Sequence, residues 1–298
     1  MRDPARPETQ MKTAVAVPSY DRPDKLRACL EALLALDPAP DEIVVVDDGS
    51  PTPLAPVCAA FGDRVRCIRQ DNAGPAAARN RAVRASTAEF VALTDDDCRP
   101  APDWLGRLIA AHGRAPGALL GGHVVNRLED NVFAAASQSL ADYLYAAGGA
   151  AAGAAEFFTT NNAAFARGAF LEMGGFDESF PMAAGEDRDF GRRWRAAGGA
   201  LAYVPEAVVA HYHDMDWRGF WRQHANYGRG ARILHRRVAA RPGQGGRFQN
   251  LGFYGRLVLH PLRDRAPRPL ARAALLGLSQ LATTAGYLDE ARRERRAP

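Results

Sequence analysis

A chain of 298 residues that is 47% hydrophobic and 24% charged can bury a full core, and its composition is that of an ordinary globular protein. Its four cysteines, Cys29, Cys58, Cys67 and Cys98, have no CxxC or other metal spacing, so they read as free thiols of a reducing compartment. The net charge of +4 conceals an asymmetry: residues 1–215 hold 21 Lys and Arg against 29 Asp and Glu, whereas residues 216–298 hold 17 against 5.

A basic tail on an acidic body calls for an anionic partner: phospholipid headgroups, a lipid-linked or nucleotide phosphate, or nucleic acid. No nucleic-acid-binding module pattern is present, and nucleic acid is set aside. Residues 1–11 are polar and Pro-rich with no apolar core of a signal peptide, so they read as a flexible leader on a cytoplasmic chain.

The first hundred residues alternate strand and helix patterns. Ala14-Val15-Ala16-Val17 is a short apolar run stopped by Pro18-Ser19-Tyr20, and a helix fits from Pro23 through Leu26, Leu30, Leu33 and Leu34. Ile43-Val44-Val45-Val46 is the β-branched run of a strand buried on both faces, and it ends in Asp47-Asp48-Gly49-Ser50. A proline-broken helical segment, a strand over 65–69 and an Ala-rich helix opened by Gly74-Pro75 follow. Phe90-Val91-Ala92-Leu93 is the next strand. Such alternation predicts βαβ units and a mostly parallel, Rossmann-like sheet flanked by helices.

That strand runs through Thr94 into three consecutive carboxylates, Asp95-Asp96-Asp97. Side by side they repel, and burying one without a partner costs several kcal/mol. A hard divalent cation with oxygen ligands is one compensation, and a solvated acidic turn is the plainer alternative. In parallel sheets, ligands sit beyond the carboxyl ends of the strands. Pro18 to Asp21, Asp47 to Ser50 and Asp95 to Asp97 all fall at that edge.

Helix 104–111 and strand 118–125 come next. Residues 132–155 are Ala/Gly-rich without a clear period, and 148–155 reads as mobile. Thr159 to Phe165 reads as a strand whose amides face a ligand. Glu186-Asp187 opens a helix, Ala200 to Val204 is a last short strand, and His211-Tyr212-His213 follows. The tail reads as helices over 220–238, 253–262 and 270–288, broken by Gly and Pro at 242–246. The last is too interrupted to span a membrane and either packs on the body or lies at an interface.

These motifs resemble the inverting family 2 glycosyltransferases, which have the GT-A fold. The resemblance rests on Val17-Pro18-Ser19-Tyr20-Asp21-Arg22, Val45-Val46-Asp47-Asp48-Gly49-Ser50, Thr94-Asp95-Asp96-Asp97, and Gly174-Gly175-Phe176-Asp177-Glu178 with Gly185-Glu186-Asp187. They occur in family order over residues 12–215, which are expected to form a GT-A domain. Residues 216–298 are then a basic, mainly helical extension.

The resemblance implies a metal-dependent inverting transfer of one sugar from a nucleotide-diphosphate sugar (UDP, dTDP or GDP) to an acceptor hydroxyl. Pro18, Tyr20 and Arg22 would border the base, and Asp47 or Asp48 would accept from base or ribose. Arg79 would approach the pyrophosphate. Asp95 would contact ribose or metal, and Asp97 would ligate Mn²⁺ or Mg²⁺ directly, with Asp96 in the same nucleotide site. His211, with His213 as the alternative, would add a metal ligand. Asn161, Asn162 and Glu186 would face the donor sugar or the acceptor, and Asp187 would be the base. Each acidic residue has a bland alternative as a turn or helix-capping residue.

The Gln-x-x-Arg-Trp element of the processive synthases is missing, so a single addition is expected. The competing readings are a non-catalytic nucleotide-sugar-binding protein and a sugar-phosphate nucleotidyltransferase. The basic tail adds possible contacts with an anionic membrane at the inner face of the plasma membrane; the acceptor is unidentified.

Overall fold

A computed structural model describes residues 11–150, 155–180, 182, 184–241 and 249–296. The leader, the stretch at 148–155 and the break at 242–246 therefore fall wholly or partly outside the described residues. The chain divides into two compact units. Unit 1 comprises residues up to 123, 159–175 and 204–209; unit 2 comprises 124–158, 176–203 and the chain from 210 onward.

Unit 1 is built on a sheet. Strands β1 (Thr13–Ser19), β2 (Glu42–Asp47), β3 (Val65–Arg69) and β4 (Phe90–Leu93) are linked by helices α1 (Pro23–Leu34), α2 (Ala55–Ala59) and α3 (Pro75–Ala85). Then come β5 (Cys98–Pro100), α4 (Trp104–Arg114), β6 (Leu119–Asn126), β7 (Ala163–Ala166), α6 (Arg167–Glu172) and β8 (Leu201–His211), with α5 (Val132–Ala147) and α7 (Glu186–Ala196) lying between them in unit 2. The strand order is β3-β2-β1-β4-β7-β6-β8-β5. The β3-β2-β1-β4 half is parallel, and β7 runs antiparallel to both β4 and β6.

Local chemistry explains these elements. Val44, Val45 and Val46 are buried on both faces of β2, as a central parallel strand requires. Pro23 occupies the first turn of α1, and Leu26, Cys29, Leu30 and Leu33 form its buried stripe. Gly74 opens α3 at φ 89, a conformation that favours glycine, and Ala76, Ala77, Ala78 and Ala82 let that helix bury its small face. Because β1, β2 and β4 are parallel, their carboxyl ends share one edge.

Two elements differ from the sequence reading. The stretch expected as one strand over 159–165 is a 3₁₀ turn, Thr160–Asn162, followed by β7. The strand expected to stop at Val204 continues to His211, because Pro205 interrupts the apolar run but not the strand.

Unit 2 is helical: α5 and α7 are joined by α8 (Trp217–Ala239), α9 (Leu251–Arg263) and α10 (Pro269–Arg296). Helix α5 falls in the stretch without a readable period. It buries Ala136 in a cluster with Met215, Phe220 and Leu275, and Tyr143 in another with Leu257 and Leu276. A helix buried on two sides shows no single apolar stripe. Its start is capped by Asn131, whose side chain accepts from Phe133 N and Ala134 N.

The arginines of α8 are largely engaged within unit 2. Arg229 pairs with Asp289 at 2.8 Å, Arg232 with Glu294 at 2.7 Å and Arg237 with Asp177 at 3.3 Å. The charge excess read from the sequence is therefore partly spent inside the fold.

His224 on α8 is fully buried, with Ser137 Oγ 3.2 Å from Nε2. Burial pushes its pKa down to about 4 from 6.5. The unfolded chain takes up that proton near pH 6.5 and the folded chain only near pH 4, so stability falls as pH drops through this window. About 2 kcal/mol is expected to be lost between pH 6.5 and 5. Thermal unfolding at pH 7 and pH 5 checks this. The loss should shrink in His224→Gln, and an unchanged pH slope in that variant would refute it.

Candidate active site

At the carboxyl edge of unit 1 the strand ends are tied together. Asp48 N donates to Ser19 O at 2.9 Å, Asp21 N donates to Ser50 Oγ at 2.9 Å, and Ser19 Oγ donates to Asp96 Oδ2 at 2.6 Å. Asp96 is fully buried. Burial lifts its pKa to about 7; Arg22 pulls the other way, and Asp97 adds to the rise.

Arg22 lies against this acidic group: its Nη2 is 2.9 Å from Asp96 Oδ1 and its Nη1 is 2.9 Å from Asp97 Oδ2. Lys25 Nζ stands 3.9 Å from the same Asp97 oxygen. The residue expected beside the base thus sits on the acidic triplet. Arg79 is buried and donates to Asp95 Oδ1 at 2.7 Å. Two guanidinium groups therefore face three carboxylates in charge-assisted pairs.

Other expected residues are engaged by the framework. Asp47 accepts from Ser50 N at 2.9 Å, Leu54 N at 3.1 Å and Arg69 Nη1 at 2.7 Å. Burial raises its pKa, but these hydrogen bonds prevail and hold it below the usual carboxylate range. Asp48 accepts from Gln70 Nε2, Ala73 N and Gly74 N at 2.8–2.9 Å and so shapes the turn into α3.

Asn162 is fully buried, accepts from Trp104 Nε1 at 2.8 Å, and donates to His123 O and Ala207 O at 3.0 and 2.9 Å, so the fold engages its side-chain amide. Asn161 differs: its backbone oxygen accepts from Thr94 Oγ1 at 3.1 Å, and its side-chain oxygen is buried without a partner among the described residues. Pro18 is buried in β1 and Tyr20 is exposed at the rim.

Unit 2 carries the other candidate groups. Gly185, at φ 101, turns the chain into α7, whose first turn holds Glu186, Asp187 and Asp189. Asp189 is fully buried between Arg193 at 2.7 Å and Arg241 at 2.8 Å. Glu186 is buried as well, whereas Asp187 is partly exposed, and its Oδ1 accepts from Arg188 N at 2.7 Å. At the end of β8 and just past it, the rings of His211 and His213 lie 5.2 Å apart. His213 Nε2 is 3.1 Å from Gln223 Oε1, and Gln223 Nε2 donates to Tyr227 Oη at 2.5 Å. Sequence reasoning passed over Gln223 and Tyr227; their four-residue spacing on a helix was the available signal.

The family model described as "Glycosyl transferase family 2" matches residues 14–174. A pre-mycofactocin glycosyltransferase of Mycobacterium tuberculosis is 32% identical over 239 residues, 78% of this chain and 49% of the relative. The chain belongs to glycosyl transferase family 2. It spans about half the length of that relative. It is also 29% identical to a glucosyl-dolichyl phosphate glucuronosyltransferase of Haloferax volcanii, over 71% of this chain and 75% of that one. Among solved structures, the mannosyltransferase PcManGT from Pyrobaculum calidifontis, in complex with GDP-Man and Mn²⁺, covers 96% of this chain and 87% of its own at a TM-score of 0.61 and 19% identity. GalNAc-T7 with UDP, GalNAc and Mn²⁺ covers 69% of this chain and 44% of its own at a TM-score of 0.56 and 14% identity. The fold is GT-A, as the motifs of this family 2 chain implied.

Proposed function

We propose that the chain transfers a single sugar, with inversion, from a nucleotide-diphosphate sugar to an acceptor hydroxyl. The observation that carries this reading is the edge of the parallel sheet, where Asp95, Asp96 and Asp97 meet Arg22 and Arg79 at the ends of β1 and β4. Tyr20 is exposed there for a base, and the orphaned Asn161 oxygen offers an acceptor for a sugar hydroxyl. The relatives' names and the nucleotides bound in the two solved structures support the donor class.

A divalent cation fits the donor set. The ligands that the family resemblance offers, Asp97 with His211 or His213, are a mixed carboxylate and imidazole set that suits Mn²⁺ better than Mg²⁺. When bound, the cation supplies Lewis-acid stabilisation of the leaving diphosphate. Arg79 orients the diphosphate, Asp95 holds Arg79 and the ribose side, and Asp187 takes the proton of the acceptor hydroxyl.

Thermal shift across a panel of nucleotide sugars, with and without Mn²⁺, tests this reading. One nucleotide family is expected to raise the Tm, and to raise it more with Mn²⁺. No shift with any of them would refute the donor assignment.

The acceptor reading is a membrane-borne one. No helix of the described residues is long and apolar enough to cross a membrane, so contact would be at the surface. Leu251, Leu259 and Leu262 point outward from α9, and Leu251 is 89% exposed. Arg256, Arg263 and Arg265 are exposed beside them, and a Leu/Arg face suits an anionic bilayer. The relative named for a dolichyl phosphate substrate supports it. Co-sedimentation with vesicles containing phosphatidylglycerol is expected, with none on phosphatidylcholine alone; no difference between the two would refute the charge-led contact.

A further inference from the structure

Two residues of α8 play no part in the reading above, yet they are joined to one of its metal-ligand candidates. Gln223 and Tyr227 are one turn apart, and the Gln223 amide nitrogen donates to Tyr227 Oη at 2.5 Å. That orientation turns the Gln223 carbonyl oxygen toward His213, 3.1 Å from Nε2. A carbonyl oxygen only accepts, so the proton of a neutral His213 ring sits on Nε2 and the lone pair on Nδ1. The far end of the chain of contacts reaches α7. Tyr227 is 36% exposed, yet desolvation raises the pKa of its hydroxyl; Gln223 and Arg188 oppose the rise and the carboxylates Asp187 and Glu186 add to it, so the phenol stays protonated.

We infer that Gln223 and Tyr227 form a positioning relay that fixes which nitrogen His213 presents to a divalent cation and so sets the cation affinity of the histidine pair. This rests on the metal reading proposed above. Ligating histidines generally hand their second nitrogen to an acceptor that fixes ring and tautomer, and losing such a partner costs about 10- to 100-fold in metal affinity. Gln223 supplies that acceptor, and Tyr227 Oη accepts from the amide nitrogen of Gln223 and so ties down its far side. Tyr227 also lies within electrostatic reach of the α7 carboxylates Asp187 and Glu186.

The test is an electron paramagnetic resonance titration of the full chain with Mn²⁺ alone, without donor. Gln223→Leu keeps the bulk and removes the acceptor, so its Mn²⁺ affinity should fall about 10- to 100-fold with Tm unchanged within a few degrees. Gln223→Glu restores an acceptor and should bind within about threefold of the wild type, a rescue that a purely structural role would not produce. Tyr227→Phe frees the amide and should lie between the two. Wild-type binding matched by Gln223→Leu would overturn the relay alone, as would equal losses in Gln223→Leu and Gln223→Glu. A wild-type chain that binds no Mn²⁺ would remove the metal reading first, and the inference with it.

Discussion

Asp187→Asn is expected to lower the turnover of sugar transfer by about 10³-fold or more while leaving nucleotide binding nearly unchanged. Asn keeps the size, the hydrogen bond that Arg188 N donates, and the ability to sit in the first turn of α7. What it loses is the capacity to accept a proton. A capping role and a base role therefore separate cleanly: a cap would tolerate Asn, with less than about 1 kcal/mol lost. Gly185 begins the helix with no side-chain cap, and Asp187 is partly exposed. Its neighbour Asp189 makes the contrast. Fully buried between two arginines, it is expected to unfold the helix start when neutralised, not to stop the chemistry selectively. Single-turnover transfer and donor-induced thermal shift, measured on the same preparation, decide the matter; retained turnover in Asp187→Asn refutes the assignment.

The part of the molecule that could be read from sequence is the part where one residue type serves one purpose. Val44, Val45 and Val46 can be little but a buried strand, and an acidic turn at each strand end marks the ligand edge of a parallel sheet. The legible part stops where a side chain has several suitors. Asn161 and Asn162 are identical in sequence terms, but one is consumed by Trp104, His123 and Ala207 while the other keeps an unpartnered oxygen. Arg22 was assigned from its strand end, whereas its position against Asp96 and Asp97 depends on a strand 70 residues later in the chain. Helix α5 escaped notice because it is apolar on two sides. The α8 arginines looked like an open basic surface because their partners, Asp289 and Glu294, lie a helix away.

The helical unit gives the second large effect. Helices α8 and α10 touch backbone to backbone: a Cβ on Gly286 would come within 1.8 Å of Ala225 O, and one on Gly228 within 1.8 Å of Thr283 O. Carbonyl oxygens of helices cannot swing aside as a flexible side chain does, so the helices must part. Gly286→Ala is expected to cost about 3 kcal/mol and to lower the Tm by several degrees. Gly277 lies on the same helix with nothing within 4 Å of its added Cβ. There the same substitution should stabilise by about 0.5–1 kcal/mol, because alanine gives up less backbone entropy than glycine. Opposite signs at two positions of one helix cannot come from helix propensity, which favours alanine at both. The separation also feeds the relay, since parting α8 from α10 loosens the turn that carries Gln223 and Tyr227. Gly286→Ala should therefore weaken Mn²⁺ binding as well, and denaturant unfolding with a parallel Mn²⁺ titration reads both. Equal stability changes at 277 and 286 would show that the close approach does not set the packing.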